Sequence, residues 1–91
     1  MNKLEECRLK IDAIDNEIIR LYEERMKAVK DIAEYKIENG LEVLDSSREK
    51  TMLEKNLLKI SNVELKKYYH HVLTGFLDAS KEMQKEIITK K

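Results

Sequence analysis

Residues 2–39 read NKLEECRLKIDAIDNEIIRLYEERMKAVKDIAEYKIEN, and this run decides the fold. Apolar or near-apolar side chains recur at Leu4, Cys7, Ile11, Ile14, Ile18 and Leu21, then at Ala28, Ile32 and Tyr35. The steps alternate three and four, the seam of a helix that packs lengthwise against another. No helix breaker interrupts the run, and Gly40 after Asn39 supplies a C-terminal stop. One helix is expected over about residues 3–38.

Outward from this helix the pattern stays helical. Residues 41–45 form a short connection. Ser46 and Glu49 have capping-box spacing, with Asp45 as a competing cap. A second helix is expected over about 46–60, with Met52, Leu53, Leu57 and Ile60 as its apolar side. Ser61 and Glu64 repeat the spacing, with Asn62 as the alternative cap. A third helix is expected over about 62–88, with a stripe of Leu65, Tyr69, Val72, Phe76, Ala79 and Met83. Leu73, Leu77 and Ile87 lie beside that stripe, and Gly75 inside the helix marks an expected close approach of another backbone. Lys90 and Lys91 are expected to fray.

Composition agrees with an all-α chain. There is no proline, and Gly40 and Gly75 are the two glycines, too few turn residues for a β-rich or α/β chain. The 91 residues suit one domain over 1–91. Eighteen basic residues balance eighteen acidic ones, which argues against a nucleic-acid partner. No stretch is long and apolar enough for a membrane span, and the N-terminus lacks a secretory h-region. A single cysteine, Cys7, excludes an internal disulfide; its seam position marks a small core residue. The expected location is cytoplasmic.

The first helix also predicts assembly. Thirty-six residues at ~1.5 Å rise span roughly 54 Å. A compact chain of this length has a radius of gyration of about 12 Å, so the helix overhangs it. The seam runs on along the overhang, and its simplest cover is a second copy. The expected architecture is three helices per chain (long, short, long) in an intertwined homodimer.

Polar residues on apolar stripes carry the functional signal. Arg25 stands in the seam between Leu21 and Ala28. A buried arginine needs an anion, whether a glutamate of the chain or a ligand, unless it reaches solvent. Ser80 and Gln84, one turn apart, interrupt the stripe of Leu73, Leu77 and Ile87 together. Lys36 lies eleven residues after Arg25, about 20° from the same face, so both can point into one cleft. Arg48 opens the second helix beside Glu49, near an N-terminus that attracts anions. Arg8 lies roughly 25 Å along the axis from Arg25, so it either faces solvent, as any one of these cations can, or, if functional, serves a partner's site. His70 and His71 are adjacent, about 100° apart on a helix, and make no metal pair. With no zinc-binding, phosphate-loop or nucleophile motif, an enzyme of this sequence is expected to need no metal and no cofactor.

These residues fall into a pattern. The run Leu4, Arg8, Ile11-Asp12, Ile14-Asp15 continues with Glu24-Arg25-Met26, Ala33, Tyr35-Lys36 and Gly40-Leu41. Asp45, Arg48-Glu49, Ser80 and Gln84 complete it. The set resembles the all-helical chorismate mutases over nearly the whole chain. The resemblance implies a helical dimer with two equivalent sites and the pericyclic rearrangement of chorismate to prephenate, on the route to phenylalanine and tyrosine. It also implies roles. Arg25 and Arg8 from the partner chain bind substrate carboxylates, and Arg48 and Ser80 hold the ring carboxylate. Lys36 and Gln84 donate to the ether oxygen, and Glu49 with the Asp45 backbone takes the ring hydroxyl. Lys36, Gln84 and Glu49 are thus the expected catalytic groups. Ile32, Met52 and Leu77 fall in the apolar lining, and Lys81 stands where that lining is usually apolar. Two alternatives stay open: a non-catalytic dimeric helical docking module, which would scatter Arg25, Lys36, Arg48 and Gln84 over the surface, and an isochorismate-pyruvate lyase of the same fold.

Overall fold

The uninterrupted seam folds as one helix, α1, Lys3–Glu38. It begins where the Asn2 side chain accepts from the Glu5 amide at 2.9 Å, with Glu5 and Glu6 complementing the positive end of the helix. It ends in a Schellman turn. The Leu41 amide donates to the Lys36 carbonyl at 2.8 Å and the Gly40 amide to that of Ile37 at 3.3 Å. Gly40 has φ +67°, where a side chain would be strained. The expected bounds of α1 are met.

The computed structural model describes residues 2–90, and α2, Ser46–Leu57, and α3, Val63–Lys90, complete an all-α chain. At the start of α2 it is Asp45, not the Ser46–Glu49 box, that caps: its carboxylate accepts from the Arg48 amide at 2.9 Å. An anion suits a helix N-terminus better than a hydroxyl, and Glu49 is left free of capping. α2 ends at Leu57, three residues before the expected Ile60, because Lys59 and Ile60 donate to the carbonyls of Asn56 and Leu57 in tight three-residue turns. The Asn62 side chain accepts from Glu64 at 3.0 Å and opens α3. No breaker follows, and α3 runs on through Lys90; Lys91 lies outside the described residues.

α1 and α2 each pack against α3, and the chain is an elongated body of 56 × 26 × 15 Å. Its radius of gyration, 16.6 Å, is well above the ~12 Å of a compact chain this long. Among the described residues only Ala33, Val43, Leu73 and Ser80 are buried. Leu4, Ile11, Ile14, Ile18 and Leu21 are all exposed on the single chain, Ile14 at 57%. Three expectations are corrected here. Cys7 is exposed on the single chain rather than part of a core. Among the described residues, no atom beyond its own turn of helix lies within 4 Å of where a Gly75 side chain would begin, so no backbone of this chain crosses there. On α3 the chain buries Leu73 and Ser80 from the flanking stripe, while Leu65 and Val72 of the main stripe stay exposed. Among the described residues no helix is long and apolar enough to cross a membrane.

Candidate functional site

The C-terminal half of α1, the 39–45 connection, the start of α2 and the C-terminal half of α3 enclose a cleft of about 370 Å³. Seven of the eight expected site residues line it: Arg25, Lys36, Asp45, Arg48, Glu49, Ser80 and Gln84. The eighth, Arg8, does not line the cleft of its own chain and is exposed. The scatter that a non-catalytic module would show is not what the chain displays.

Each side chain has a local reason for its place. Arg25 sits on the half-buried face of α1, where its guanidinium donates to Ser80 Oγ at 2.6 Å and lies 5.3 Å from the centre of the Phe76 ring. Ser80 in turn donates to the Phe76 carbonyl at 2.8 Å, so its hydroxyl is fixed as the acceptor for Arg25. Cation–π contact and one short hydrogen bond orient the guanidinium and leave most of its donors free. Lys36, three turns on, donates to the Val43 carbonyl at 3.4 Å. Asp45 is committed to the α2 cap, and its carbonyl accepts from the Glu49 amide at 3.1 Å. Gln84 is half-buried one turn beyond Ser80.

Charge is distributed unevenly. Arg20, one turn before Arg25, is held by Glu17 at 2.8 Å and Glu24 at 3.2 Å. Its pKa is raised by the Glu17 hydrogen bond and then by the Glu24 charge. Arg25, Lys36 and Arg48 have no such partner: among the described residues no carboxylate lies within ion-pair distance of them. Glu49 pairs instead with Lys81, Oε1 to Nζ at 3.3 Å. Neither outcome expected for a lone seam arginine, a glutamate partner or escape to solvent, describes Arg25.

Val29 and Val43 were not among the expected lining residues; they join Ile32, Met52 and Leu77 as the apolar wall. Val43 is buried at 7% although it lies in a loop, and the apolar triplet Val43, Leu41 and Leu44 was its only sequence signal. A larger hollow of about 560 Å³ adjoins the cleft through Arg25, Arg48 and Met52. Ile18, Leu21, Tyr69 and Val72 line it. Among the described residues no three His, Cys, Asp or Glu side chains converge in a metal-ligand arrangement.

The cleft can therefore hold a small dianion against an apolar wall. Comparison with known proteins agrees. The family profile described as Chorismate mutase type II matches residues 7–85. A chorismate mutase of Methanocaldococcus jannaschii is 42% identical over 66 residues, covering 70% of this chain and 67% of that protein. A bifunctional chorismate mutase/prephenate dehydratase of Buchnera aphidicola is 36% identical over 91 residues, covering 98% of this chain and 23% of that longer protein. A profile match over most of the chain, onto a helical scaffold with this cationic cleft, means that the chain belongs to the type II chorismate mutase family.

Proposed function

We propose that the cleft binds chorismate and rearranges it to prephenate, as a step toward phenylalanine and tyrosine, in a homodimer whose two sites are each completed by Arg8 of the partner subunit. The observation that supports this most is the convergence of Arg25, Lys36 and Arg48 in one cleft without carboxylate partners. Unpaired cations are costly to gather unless a ligand brings the opposite charge. Chorismate brings two carboxylates, and arginine pairs with each in bidentate fashion.

In this reading Arg25 and the partner's Arg8 clamp the substrate carboxylates and Arg48 holds the ring carboxylate. Ser80, whose one proton goes to the Phe76 carbonyl, contributes by accepting from Arg25 and holding its guanidinium toward the substrate. The clamp folds the enolpyruvyl arm over the ring in a reactive pose. The C–O bond breaks ahead of C–C formation, so negative charge grows on the ether oxygen. Lys36 and Gln84 donate there and stabilise the transition state more than the ground state. Glu49, with the Asp45 backbone, accepts the ring hydroxyl. No proton moves at the bond-forming carbons, so the chemistry asks for no acid–base pair, metal or cofactor. A millionfold acceleration corresponds to ~8 kcal/mol, within reach of two aimed donors and conformational restraint.

The open seam of α1 supports the dimer. Its N-terminal half exposes a line of large apolar side chains, and the apolar hollow beside the cleft offers a bed for a second helix. A partner's α1 lying there would carry Arg8 across the ~25 Å that separates it from its own Arg25. The residues 1–91 act as one catalytic domain in a reduced, cytoplasmic setting. The decisive experiment follows the ultraviolet absorbance of chorismate with the purified chain. Loss of absorbance and appearance of prephenate are expected, and both should vanish in Arg25→Ala. An unchanged spectrum from folded protein would overturn the assignment.

A further inference from the structure

Lys81 departs from the apolar lining expected at its position, and the structure gives it a partner. Its ammonium lies 3.3 Å from Glu49 Oε1, joining α3 to α2 across one wall of the cleft. That oxygen is buried, and among the described residues no donor, Lys81 included, is aligned to make a hydrogen bond with it. Glu49 is also not used in capping α2, which Asp45 does alone. The carboxylate is therefore held at one end by charge only. A buried carboxylate oxygen without a hydrogen bond keeps its place only if something compensates it, and here that is the Lys81 charge.

We propose that Lys81 is a positioning residue for substrate recognition: by drawing Oε1 of Glu49 to the wall it turns Oε2 toward the cleft as the acceptor for the ring hydroxyl. This rests on the assignment of Glu49 to that hydroxyl. The pair has a second effect. It cancels one positive and one negative charge inside the cleft, so that Arg25, Lys36 and Arg48 remain the cations that meet the dianion. Removing Lys81 would leave the Glu49 charge facing the substrate carboxylates unbalanced, and would let its side chain turn.

These two effects separate experimentally. The measurement is kcat/KM on chorismate and on an analogue in which hydrogen replaces the ring hydroxyl. Both are dianions, so loss of the Lys81 charge weakens both alike and cancels in their ratio. Comparing ratios between variants also cancels the analogue's own intrinsic rate. Glu49→Gln should lower the preference for chorismate roughly tenfold. Lys81→Leu should lower it about fivefold, and Lys81→Arg, which keeps the charge, should restore most of it. In the Glu49→Gln background, Lys81→Leu should lower the preference no further, because a residue that acts through Glu49 has nothing left to act on. Lys81 has a 41% exposed side chain, so the substitutions are compatible with folding.

Should Glu49→Gln keep the full preference, the hydroxyl assignment falls and the role of Lys81 with it. Should Glu49→Gln lose it while Lys81→Leu does not, the assignment of Glu49 stands and the inference about Lys81 alone is overturned. A loss on Lys81→Leu that persists in the Glu49→Gln background would mean that Lys81 meets the hydroxyl itself, which overturns the indirect role.

Discussion

From Arg25 onward α1 lies beside α3, buries Ala33 and lends Arg25 and Lys36 to the cleft, whereas between Lys3 and Leu21 the same seam leaves Leu4, Ile11, Ile14 and Ile18 open. The two halves share one helix, one period and one absence of breakers. They differ in what the chain offers them to pack against. The C-terminal half meets α3 and there places Arg25 in the seam, against Ser80 in the cleft. The N-terminal half keeps an apolar seam whose large side chains stay exposed on the single chain, Ile18 and Leu21 among them although they border the hollow beside α3. Continuity of a hydrophobic pattern thus reports that a face is buried, but not by which molecule.

The comparison breaks most readily at Ile14. On a lone chain an aspartate at this 57% exposed position would change stability by only about 0.5 kcal/mol. In the proposed interface it puts two like charges into an apolar seam. Ile14→Asp should abolish both the doubled mass in sedimentation at micromolar concentration and all mutase activity. A dimeric, active variant would show that the open half of α1 is not the interface.

In the cleft beside the other half, Gln84 of α3 gives the next largest effect. Gln84→Glu places a carboxylate beside an oxygen that gains negative charge, and it donates only when protonated. Activity at neutral pH should fall roughly 10²- to 10³-fold, the loss typical of one transition-state donor. It should recover as pH falls and the introduced carboxyl protonates, while the parent stays comparatively flat. Burial and the anionic ligand raise that carboxyl's pKa, and Lys36 opposes them. Equal kcat/KM values at neutral pH would remove Gln84 from the ether oxygen.

A mixture then joins the two halves. Arg8→Ala and Arg25→Ala chains should each be nearly inactive alone. In their heterodimer one site inherits both defects and the other neither. Random re-association after unfolding and refolding together should restore about a quarter of parent activity. No recovery would place Arg8 outside the partner's site. The smallest effect concerns the cap beneath the cleft. Asp45→Ala removes the acceptor for the Arg48 amide and should lower stability by about 1 kcal/mol in chemical denaturation. Substrate affinity should follow only so far as α2 shifts.

Helix α1 was legible because its signals are local: a period, an unbroken run and Gly40 after Asn39. Four of the site residues could be gathered for a related reason, Arg48 by its place at a helix N-terminus, and Asp45 and Glu49 through the family resemblance. Arg25, Ser80 and Gln84 stood out as polar groups on apolar stripes, and spacing aligned Lys36 with Arg25. The end of α2 was less legible, since Leu57 and Ile60 continue its apolar side although the backbone has already tightened into turns. The Lys81–Glu49 pair and the buried Val43 depend on contacts between elements distant in sequence, which no local pattern encodes. The same holds for Gly75, whose cause was sought in a crossing backbone that the chain does not supply.

A chain that, among its described residues, hides only Ala33, Val43, Leu73 and Ser80 from water has little to hold it folded in isolation. In the proposed dimer, folding and association become one second-order event. Thermal midpoints would then depend on how much protein is in the tube, with each tenfold dilution removing about 1.4 kcal/mol per dimer. Specific activity would decline on dilution at temperatures where a comparable single-chain enzyme holds steady. For a cell, the abundance of this chain would set not only how many sites exist but whether each of them is assembled at all.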